Sequence, residues 1–281
     1  MGADCLERFG KSILQHGPDN DRVYLMKLDQ DDLPGVLEFI AELVEKHHYS
    51  KVFAKIPATN EEAFSAAGYC VEARVPNFYR GEVDGLFMAA YPQARRQHDP
   101  DAERVEKVLA AAQAKAGSAT PIRLKDTEAD QCRLASPDDC PAMADLYQRV
   151  FSSYPFPIHD PDYLVRTMAD NVTYAGVWKG EELMAVASAE VDAAGSYAEM
   201  TDFATDPAYQ GQGLAHLLLA ELEKLMADAD IQTCYTIARA TSFGMNITFA
   251  KSGYRYAGTL VQNTQISGGL ESMNVWYKPV K

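Results

Sequence analysis

The 281-residue chain contains no apolar run long enough to cross a bilayer, and residues 1–8 lack the basic and apolar segments of a signal peptide. Basic residues are also scarce: the chain has 26 Lys and Arg but 40 Asp and Glu, so its net charge is -14. That charge would repel the phosphates of a nucleic acid and suits a small cationic substrate. We therefore expect a cytoplasmic protein that binds neither membranes nor nucleic acids.

Cysteine is the next scarce residue. The five cysteines are odd in number and scattered, without a Cys-x-x-Cys pair or a histidine at ligand spacing, so we expect neither a disulfide framework nor a metal site. What the chain does have is the composition of a soluble globular protein, with 47% apolar and 23% charged residues. Its length is sufficient for two domains of ordinary size.

The most informative segment is residues 197–228, in which a glycine turn joins a predicted strand to a predicted leucine-rich helix. Gly211 and Gly213 lack a Cβ, so the backbone can turn sharply and bring its amides close to a ligand. The first turn of the helix leaves further amides unpaired and presents its positive dipole end. This segment is therefore a candidate pyrophosphate site. Leucines at spacings of four, four and three form the apolar stripe of the helix: Leu214, Leu218, Leu222 and Leu225.

The turn reads Gln210-x-x-Gly213-x-Ala215 and resembles the acetyl-coenzyme A signature of the GNAT superfamily of N-acetyltransferases. It lacks the third glycine of a dinucleotide fingerprint and the Gly-Lys-(Ser/Thr) of a P-loop. For the short motif alone, an ordinary strand-turn-helix connection is the alternative. The resemblance implies acetyl-coenzyme A as the acetyl donor, with these coenzyme-contacting residues: Phe203, Ala204, Thr205, Gln210, Gly211, Gln212, Gly213, Leu214, Ala215, Ser242, Asn246 and Phe249.

The order of predicted elements extends the resemblance over residues 129–281. Hydrophobic alternation, turn signals and helix caps predict β-α-α-β-β-β-α-β-α-β-β, which is the order of the GNAT fold. We therefore expect an α/β protein with a mixed sheet, whose C-terminal part has the GNAT acyltransferase fold. The elements are predicted at residues 132–135, 136–150, 161–170, 173–178, 183–191, 197–205, 214–228, 232–239, 242–252, 254–265 and 272–278.

The N-terminal region contains an echo of the C-terminal part. Residues 51–69 resemble residues 235–254, and each segment is followed by a strand, a turn and a final strand. Chance similarity between βαβ units is the alternative. The N-terminal region lacks the glycine turn, so we assign it no coenzyme site. The predicted division is a partial GNAT-like domain at 1–94, a helical linker at 95–128 and the GNAT domain at 129–281.

Acetyl transfer to an amine requires removal of a proton, because an alkylammonium with a pKa of about 10.4 is almost wholly protonated at neutral pH. Glu199 is the first candidate base, since it lies on the strand that borders the thioester in the family. Asp202 is the second, expected on the opposite strand face by alternation. Many family members have a thiolate-protonating tyrosine where this chain has Phe249. We therefore expect water or a displaced phenol, Tyr235 or Tyr254, to serve as the acid.

A loop of aromatic and proline residues contains Tyr154 and Phe156. Such a stiff wall suits an acceptor pocket, and the alternative is a loop that only packs on the sheet. Arg239 or Arg149 is the candidate partner for a substrate carboxylate.

The whole chain also resembles the β-lysine N-acetyltransferase family. The resemblance rests on Phe53-Ala-Lys-Ile-Pro-Ala, Tyr154-Pro-Phe-Pro-Ile and Met273-Asn-Val-Trp-Tyr. It implies β-lysine as the small-molecule partner, whose terminal amine is acetylated to give the compatible solute Nε-acetyl-β-lysine. Two alternatives stay open: acetylation of a polyamine or of lysine, and coenzyme sensing without turnover. The chain could also form a homodimer.

Overall fold

The computed structural model describes residues 4–118, 130–266 and 268–281, and in this part of the chain thirteen strands form one continuous sheet with helices packed against it. The strands are β1 Cys5–Phe9, β2 Ser12–Gly17, β3 Arg22–Lys27, β4 Lys51–Pro57, β5 Cys70–Tyr79, β6 Val83–Ala90, β7 Asp130–Leu134, β8 Val172–Lys179, β9 Glu182–Asp192, β10 Tyr197–Thr205, β11 Thr233–Arg239, β12 Arg255–Ile266 and β13 Gly269–Pro279. The helices are α1 Gly35–His47, α2 Glu61–Ala66, α3 Ala102–Gln113, α4 Cys140–Val150, α5 Pro161–Asp170, α6 Leu214–Asp228 and α7 Phe243–Lys251.

The sheet consists of two halves that repeat one topology. The N-terminal half has the order β1-β2-β3-β4-β6-β5, and the C-terminal half has the order β8-β9-β10-β11-β13-β12, with β7 as an added edge strand. In each half a parallel pair of strands flanks one helix: β3 and β4 flank α1, and β10 and β11 flank α6. The sequence echo at residues 51–69 therefore extends to β1, β2 and β3, which the echo alone did not predict.

The predicted element order of the C-terminal part is confirmed, and with it the mixed α/β class. Local sequence explains where helices begin. Ser136 and Asp139 form a capping box ahead of α4, and Asp160 caps α5. On α6, Leu218 and Leu222 of the apolar stripe are fully buried, and the helix packs on β8, β9 and β10. This packing holds the N-terminus of α6 at the end of β10.

The two halves meet at a seam between β5 and β12. Their register contains the single pair Gly258↔Ala73. A Cβ on Gly258 would collide with the backbone carbonyl of Glu72, so only glycine permits this close approach.

Buried polar side chains continue the seam where β12 bulges away from ladder pairing. Lys51 Nζ donates to the carbonyl of Val261 at 2.6 Å, and Arg96 Nε donates to the carbonyl of Gln262 at 2.7 Å. Lys51 also pairs with Glu72 at 2.9 Å, while burial lowers the pKa of this lysine to about 8. Side chains from outside the C-terminal half thus satisfy backbone groups that a regular ladder would have satisfied.

Helix α3 lies in the predicted linker and packs against α7, with Val105, Val108 and Ala112 buried. Residues 119–129 of that linker fall outside the described residues, so the division into domains stays a prediction. None of the helices in the described ranges is long and apolar enough to span a bilayer.

Candidate active site

Strands β10 and β11 separate in the middle of the C-terminal half. Their parallel pairing covers residues 197–199 of β10 and 233–235 of β11, whereas β10 continues to Thr205 and β11 to Arg239. The separation leaves an edge of β10 without a β11 partner, and an extended ligand can pair with such an edge. The predicted coenzyme contacts on this stretch are Phe203, Ala204 and Thr205.

The glycine turn follows the end of β10. Gly211 and Gly213 have left-handed φ angles of 79° and 82°, and Gly213 is the N-cap of α6. The space around Gly211 is open, with no atom within 4 Å of a built Cβ. Within the described ranges, the amides of residues 210–215 donate to no protein acceptor. This geometry fits the predicted pyrophosphate cradle, which consists of Gln210, Gly211, Gln212, Gly213, Leu214 and Ala215.

A cavity of about 600 Å³ lies where the strands separate, and it extends across the seam into the N-terminal half. Strands β3, β4, β10 and β11, helix α7 and the loop after α4 all contribute to its wall. Acidic side chains outnumber basic ones along the wall, as suits a cationic substrate. The acidic residues are Asp4, Asp170, Glu190, Glu199 and Asp202, and the basic residues are Arg22, Lys55 and Arg239.

Glu199, Tyr235 and Lys55 form a hydrogen-bonded chain at this cavity. Tyr235 Oη donates to Glu199 Oε2 at 2.7 Å and accepts from Lys55 Nζ at 3.0 Å. Burial raises the pKa of Glu199 to about 7, and the positive charge of Lys55 opposes that rise. Burial also lowers the pKa of Lys55. A carboxylate that titrates near neutrality is suited to accept a proton from a substrate.

The hydrogen bonds of Tyr235 affect its predicted role as the acid. Its hydroxyl proton is already donated to Glu199, and burial raises its pKa well above the ordinary value. In this arrangement Tyr235 connects the carboxylate to Lys55 and is a poor source of a proton for a departing thiolate.

Asp202 and Glu199 both line the cavity, so the expectation that alternation places them on opposite strand faces is wrong. A β-bulge interrupts the pairing of β10 with β9 at this point, and Asp202 has a left-handed φ of 53°. The extra residue shifts the alternation by one position. The Asp202 carboxylate accepts from Ser188 Oγ and from Tyr154 Oη, both at 2.6 Å. Burial raises its pKa in spite of these hydrogen bonds.

Other predicted residues also line the cavity: Tyr154, Phe156, Phe203, Ser242 and Phe249. Tyr154 and Phe156 belong to the loop after α4, on the acceptor side of the cavity. Ser242 is the N-cap of α7, and the Phe249 ring packs edge-to-face on Phe203 at 5.5 Å. Their roles toward coenzyme or substrate stay predictions.

Asn246 is fully buried inside the protein, and its contact with coenzyme stays a prediction. Its amide nitrogen donates to the carbonyls of Arg239 and Ser242, and its amide oxygen accepts from Asn274 and Trp276. These four hydrogen bonds use the full capacity of an asparagine side chain. Asn246 therefore holds α7 onto β11 and β13.

Both arginines predicted to bind a substrate carboxylate already pair with carboxylates of the protein. Arg239 lines the cavity, but its guanidinium holds Glu271 through Nε at 3.0 Å and Nη2 at 2.5 Å. Arg149 pairs with Asp206 at 3.1 Å and is not among the residues that line the cavity. Bidentate pairing of this kind compensates the charge of Arg239.

Lys55 and Arg22 are cavity residues that the sequence reasoning missed. Both come from the N-terminal half, whereas the predicted site lies wholly in the C-terminal half. Arg22 is 4% exposed, and its Nη1 donates to the Asn263 carbonyl and, at 3.3 Å, to Thr264 Oγ1. Among the described residues, its Nε has no hydrogen-bond partner. The available signal was the presence of basic residues beside apolar ones, since Arg22 begins β3 and Lys55 lies within β4. Buried basic residues are rare unless the charge has a use.

The chain is similar to known acetyltransferases, both in the region of the cavity and over most of its length. The Acetyltransferase (GNAT) family model matches residues 140–254. The chain is 38% identical to the β-lysine N(6)-acetyltransferase of Methanococcus maripaludis over 95% of this chain and 96% of that protein. It is 32% identical to the N-acetyltransferase YodP of Bacillus subtilis, over 95% of each chain.

A second β-lysine N(6)-acetyltransferase, from Methanosarcina mazei, is 31% identical over 88% of this chain and 96% of that protein. Among solved structures, the ribosomal-protein-S18-alanine N-acetyltransferase of Escherichia coli matches 54% of this chain and 94% of its own, with a TM-score of 0.48 and 19% identity.

Proposed function

The chain belongs to the GNAT acetyltransferase family, and from this premise we propose that it transfers the acetyl group of acetyl-coenzyme A to the terminal N6 amine of β-lysine. Two relatives that match most of the chain carry the name of this activity. The structural observation that supports it best is the Glu199–Tyr235–Lys55 chain, which presents a carboxylate with a pKa of about 7 to an acidic cavity.

The donor would be held largely by backbone groups of the C-terminal half. The amides of residues 210–215, which have no acceptor in the described part of the chain, suit the pyrophosphate. The open space around Gly211 lets the pyrophosphate approach. The free edge of β10 suits the pantetheine arm, which can pair there like an added strand. Phe203, Ser242 and Phe249 are the proposed side-chain contacts farther along the arm. When bound, acetyl-coenzyme A supplies the thioester.

Glu199 would accept the proton of the substrate ammonium, directly or through water. The nitrogen lone pair then attacks the thioester carbonyl carbon and the N–C bond forms. The C–S bond breaks to release coenzyme A thiolate, and the nitrogen loses its second proton to water, which leaves the neutral amide. A pKa of about 7 makes Glu199 a stronger base than an ordinary glutamate, whose pKa is about 4.3. Burial alone would push this pKa higher still, and Lys55 preserves the ionised form.

Water is the proposed acid for the departing thiolate. Phe249 stands where many family members have a tyrosine, and its neighbours Phe203 and Tyr254 are aromatic, at 5.5 and 5.1 Å. Tyr254 is 2% exposed and is not among the residues that line the cavity. A thiolate is a stable enough leaving group to depart before it is protonated.

Asp202 would complete the acceptor side of the cavity. Its carboxylate is fixed by Tyr154 and Ser188, so it adds a negative charge at a defined position. Two carboxylates near the amine attract the ammonium form, and Phe156 supplies apolar wall for the methylene chain.

The test is thiol release from acetyl-coenzyme A with β-lysine, lysine, spermidine and a lysine peptide, together with mass spectrometry and NMR of the product. We expect β-lysine to give the highest kcat/KM and the product to carry acetyl on N6. Preference for spermidine or lysine would replace the acceptor. Coenzyme binding without thiol release from any amine would favour the sensing alternative.

Glu199→Gln tests the base. The variant keeps the shape but cannot accept the proton, so turnover should fall roughly a hundredfold or more, with partial recovery at high pH where the amine arrives deprotonated. Coenzyme affinity should not change, because the coenzyme site uses backbone amides elsewhere. Glu106→Gln, an exposed change on α3, is the matched control. Normal turnover with only a raised KM for the amine would make Glu199 a binding residue and transfer proton removal to Asp202 or solvent.

A further inference from the structure

The end of the cavity in the N-terminal half contains buried polar groups without partners. Arg22 Nε, Gln15 Oε1 and Asn263 Oδ1 all lack a hydrogen bond in the described part of the chain. The three residues are 4%, 4% and 1% exposed, and all of them line the cavity. Buried polar atoms are normally paired, and a buried cation without an anion is costly. Three such groups around one space indicate a missing polar ligand.

The charge of Arg22 identifies the kind of ligand. Within the described ranges Arg22 forms no ion pair, and its Nη1 donates to neutral oxygens of Asn263 and Thr264. Burial lowers the pKa of Arg22, and the negative charge of Asp4, another cavity residue, opposes this without a hydrogen bond. Its guanidinium also lies over the rings of Tyr24 and Phe53, at 5.2 and 5.7 Å. A guanidinium with a free donor in a water-poor site favours a carboxylate.

Arg22 is placed for a ligand that also reaches Glu199. Arg22, Tyr24 and Met26 alternate along β3 and line one wall. The ring of Tyr24 contacts Arg22, and the negative charge of Glu199 contributes to a raised pKa of the Tyr24 hydroxyl. Tyr24 therefore lies near both charged groups, and all three residues line the same cavity.

The repeated topology relates the two positions. In β4 and β11 the matching segments begin at Lys51 and Tyr235, and these residues pair with Arg22 and Glu199 across their parallel ladders. Arg22 thus lies on the parallel strand pair of the N-terminal half, and Glu199 lies on the corresponding pair of the C-terminal half. One half presents a carboxylate to the cavity, and its counterpart presents a cation.

We propose that Arg22 binds the carboxylate of the acceptor substrate. Gln15 Oε1 and Asn263 Oδ1 accept hydrogen bonds from the ammonium group of the acceptor that is next to this carboxylate. This inference rests on the proposed function, in which the far amine of the same molecule lies at Glu199. The acceptor is then an amino acid with a zwitterionic head and a distant terminal amine. Its head is recognised by the N-terminal half.

Three acceptors separate the contributions of the head groups. β-Lysine has both, 6-aminohexanoate has the carboxylate and terminal amine without the second amine, and 1,4-diaminopentane has both amines without the carboxylate. Arg22→Gln should lower kcat/KM about a hundredfold for β-lysine and for 6-aminohexanoate, mainly through KM, because a buried charge pair is lost. It should leave 1,4-diaminopentane unaffected. Gln15→Leu should narrow the preference for β-lysine over 6-aminohexanoate.

Two further variants guard against a folding artefact. Arg22→Lys keeps the charge and should recover part of the KM, whereas Arg104→Gln, an exposed change on α3, should behave as the wild type. An unchanged KM for β-lysine in a folded Arg22→Gln variant would overturn the inference and leave the proposed function standing. An equal loss on all three acceptors would also overturn it. No acetylation of β-lysine by the wild-type enzyme would instead refute the proposed function.

Discussion

Replacing Lys55 with Met tests whether the N-terminal half tunes the catalytic base. Lys55 reaches Glu199 through Tyr235, by contacts of 3.0 and 2.7 Å, so the ammonium and the carboxylate are at most about 6 Å apart. At an effective dielectric constant of about 20, two unit charges at that distance attract by roughly 3 kcal/mol, equivalent to about two pKa units. Removing the ammonium should therefore raise the pKa of Glu199 by about one to two units above its value of about 7.

The sign of the pH effect follows from the role of the base. Glu199 acts when ionised, so activity is lost as pH falls through its pKa. In the variant this acid limb should move to higher pH, and kcat/KM at pH 7 should fall roughly tenfold or more, with recovery toward about pH 10. The assay is thiol release across the pH range with β-lysine, compared with the wild type so that titration of the amine cancels.

Lys46→Met, an exposed lysine-to-methionine change on α1, is the matched control and should leave the pH profile unchanged. Tyr235→Phe removes a hydrogen bond that lowers the pKa of Glu199, so it should move the limb in the same direction. An acid limb that stays in place in Lys55→Met, or moves to lower pH, would refute the coupling.

The remaining predictions concern the donor side. Gly213→Val should weaken acetyl-coenzyme A binding, measured by calorimetry, at least about tenfold, or about 1.4 kcal/mol. Gly180→Val, at a hairpin glycine that also has a left-handed φ, should leave the affinity unchanged. Unchanged affinity in Gly213→Val would place the coenzyme elsewhere. Phe249→Tyr should change kcat little, and a hundredfold rise would contradict water as the acid. Asn246→Ala should lower the free energy of unfolding by about 2 kcal/mol or more in denaturant titrations, because it unpairs buried groups; a loss of coenzyme affinity at full stability would support the sequence-based role.

The C-terminal fold could be predicted because its signals are local. Alternation, caps and turn residues define each strand and helix within a short window, and the leucine stripe of α6 follows from spacing alone. Strands β1 to β3 were missed because the echo at residues 51–69 begins after them. The face of Asp202 was mispredicted because a bulge adds a residue without a distinctive sequence signal.

The missed site residues have a different origin. Lys55 and Arg22 reach the cavity only because β5 joins β12, and that contact links residues far apart in the chain. Patterns within one strand cannot indicate which other strand will lie beside it. The buried hydrogen bonds of Asn246 could not be predicted for a related reason, since its partners Asn274 and Trp276 come from another strand.

The seam between β5 and β12 also fixes the distance between the two walls of the cavity. Because the approach at Gly258 allows no side chain, the halves cannot slide along one another by a residue, and the spacing between the wall of β3 and the wall of β10 is fixed in steps of strand rise, about 3.3 Å. Loop changes cannot alter that spacing. An enzyme of this architecture would therefore accommodate a longer or shorter acceptor substrate through a changed register at the seam. We expect relatives that acetylate other acceptors to differ first at this seam.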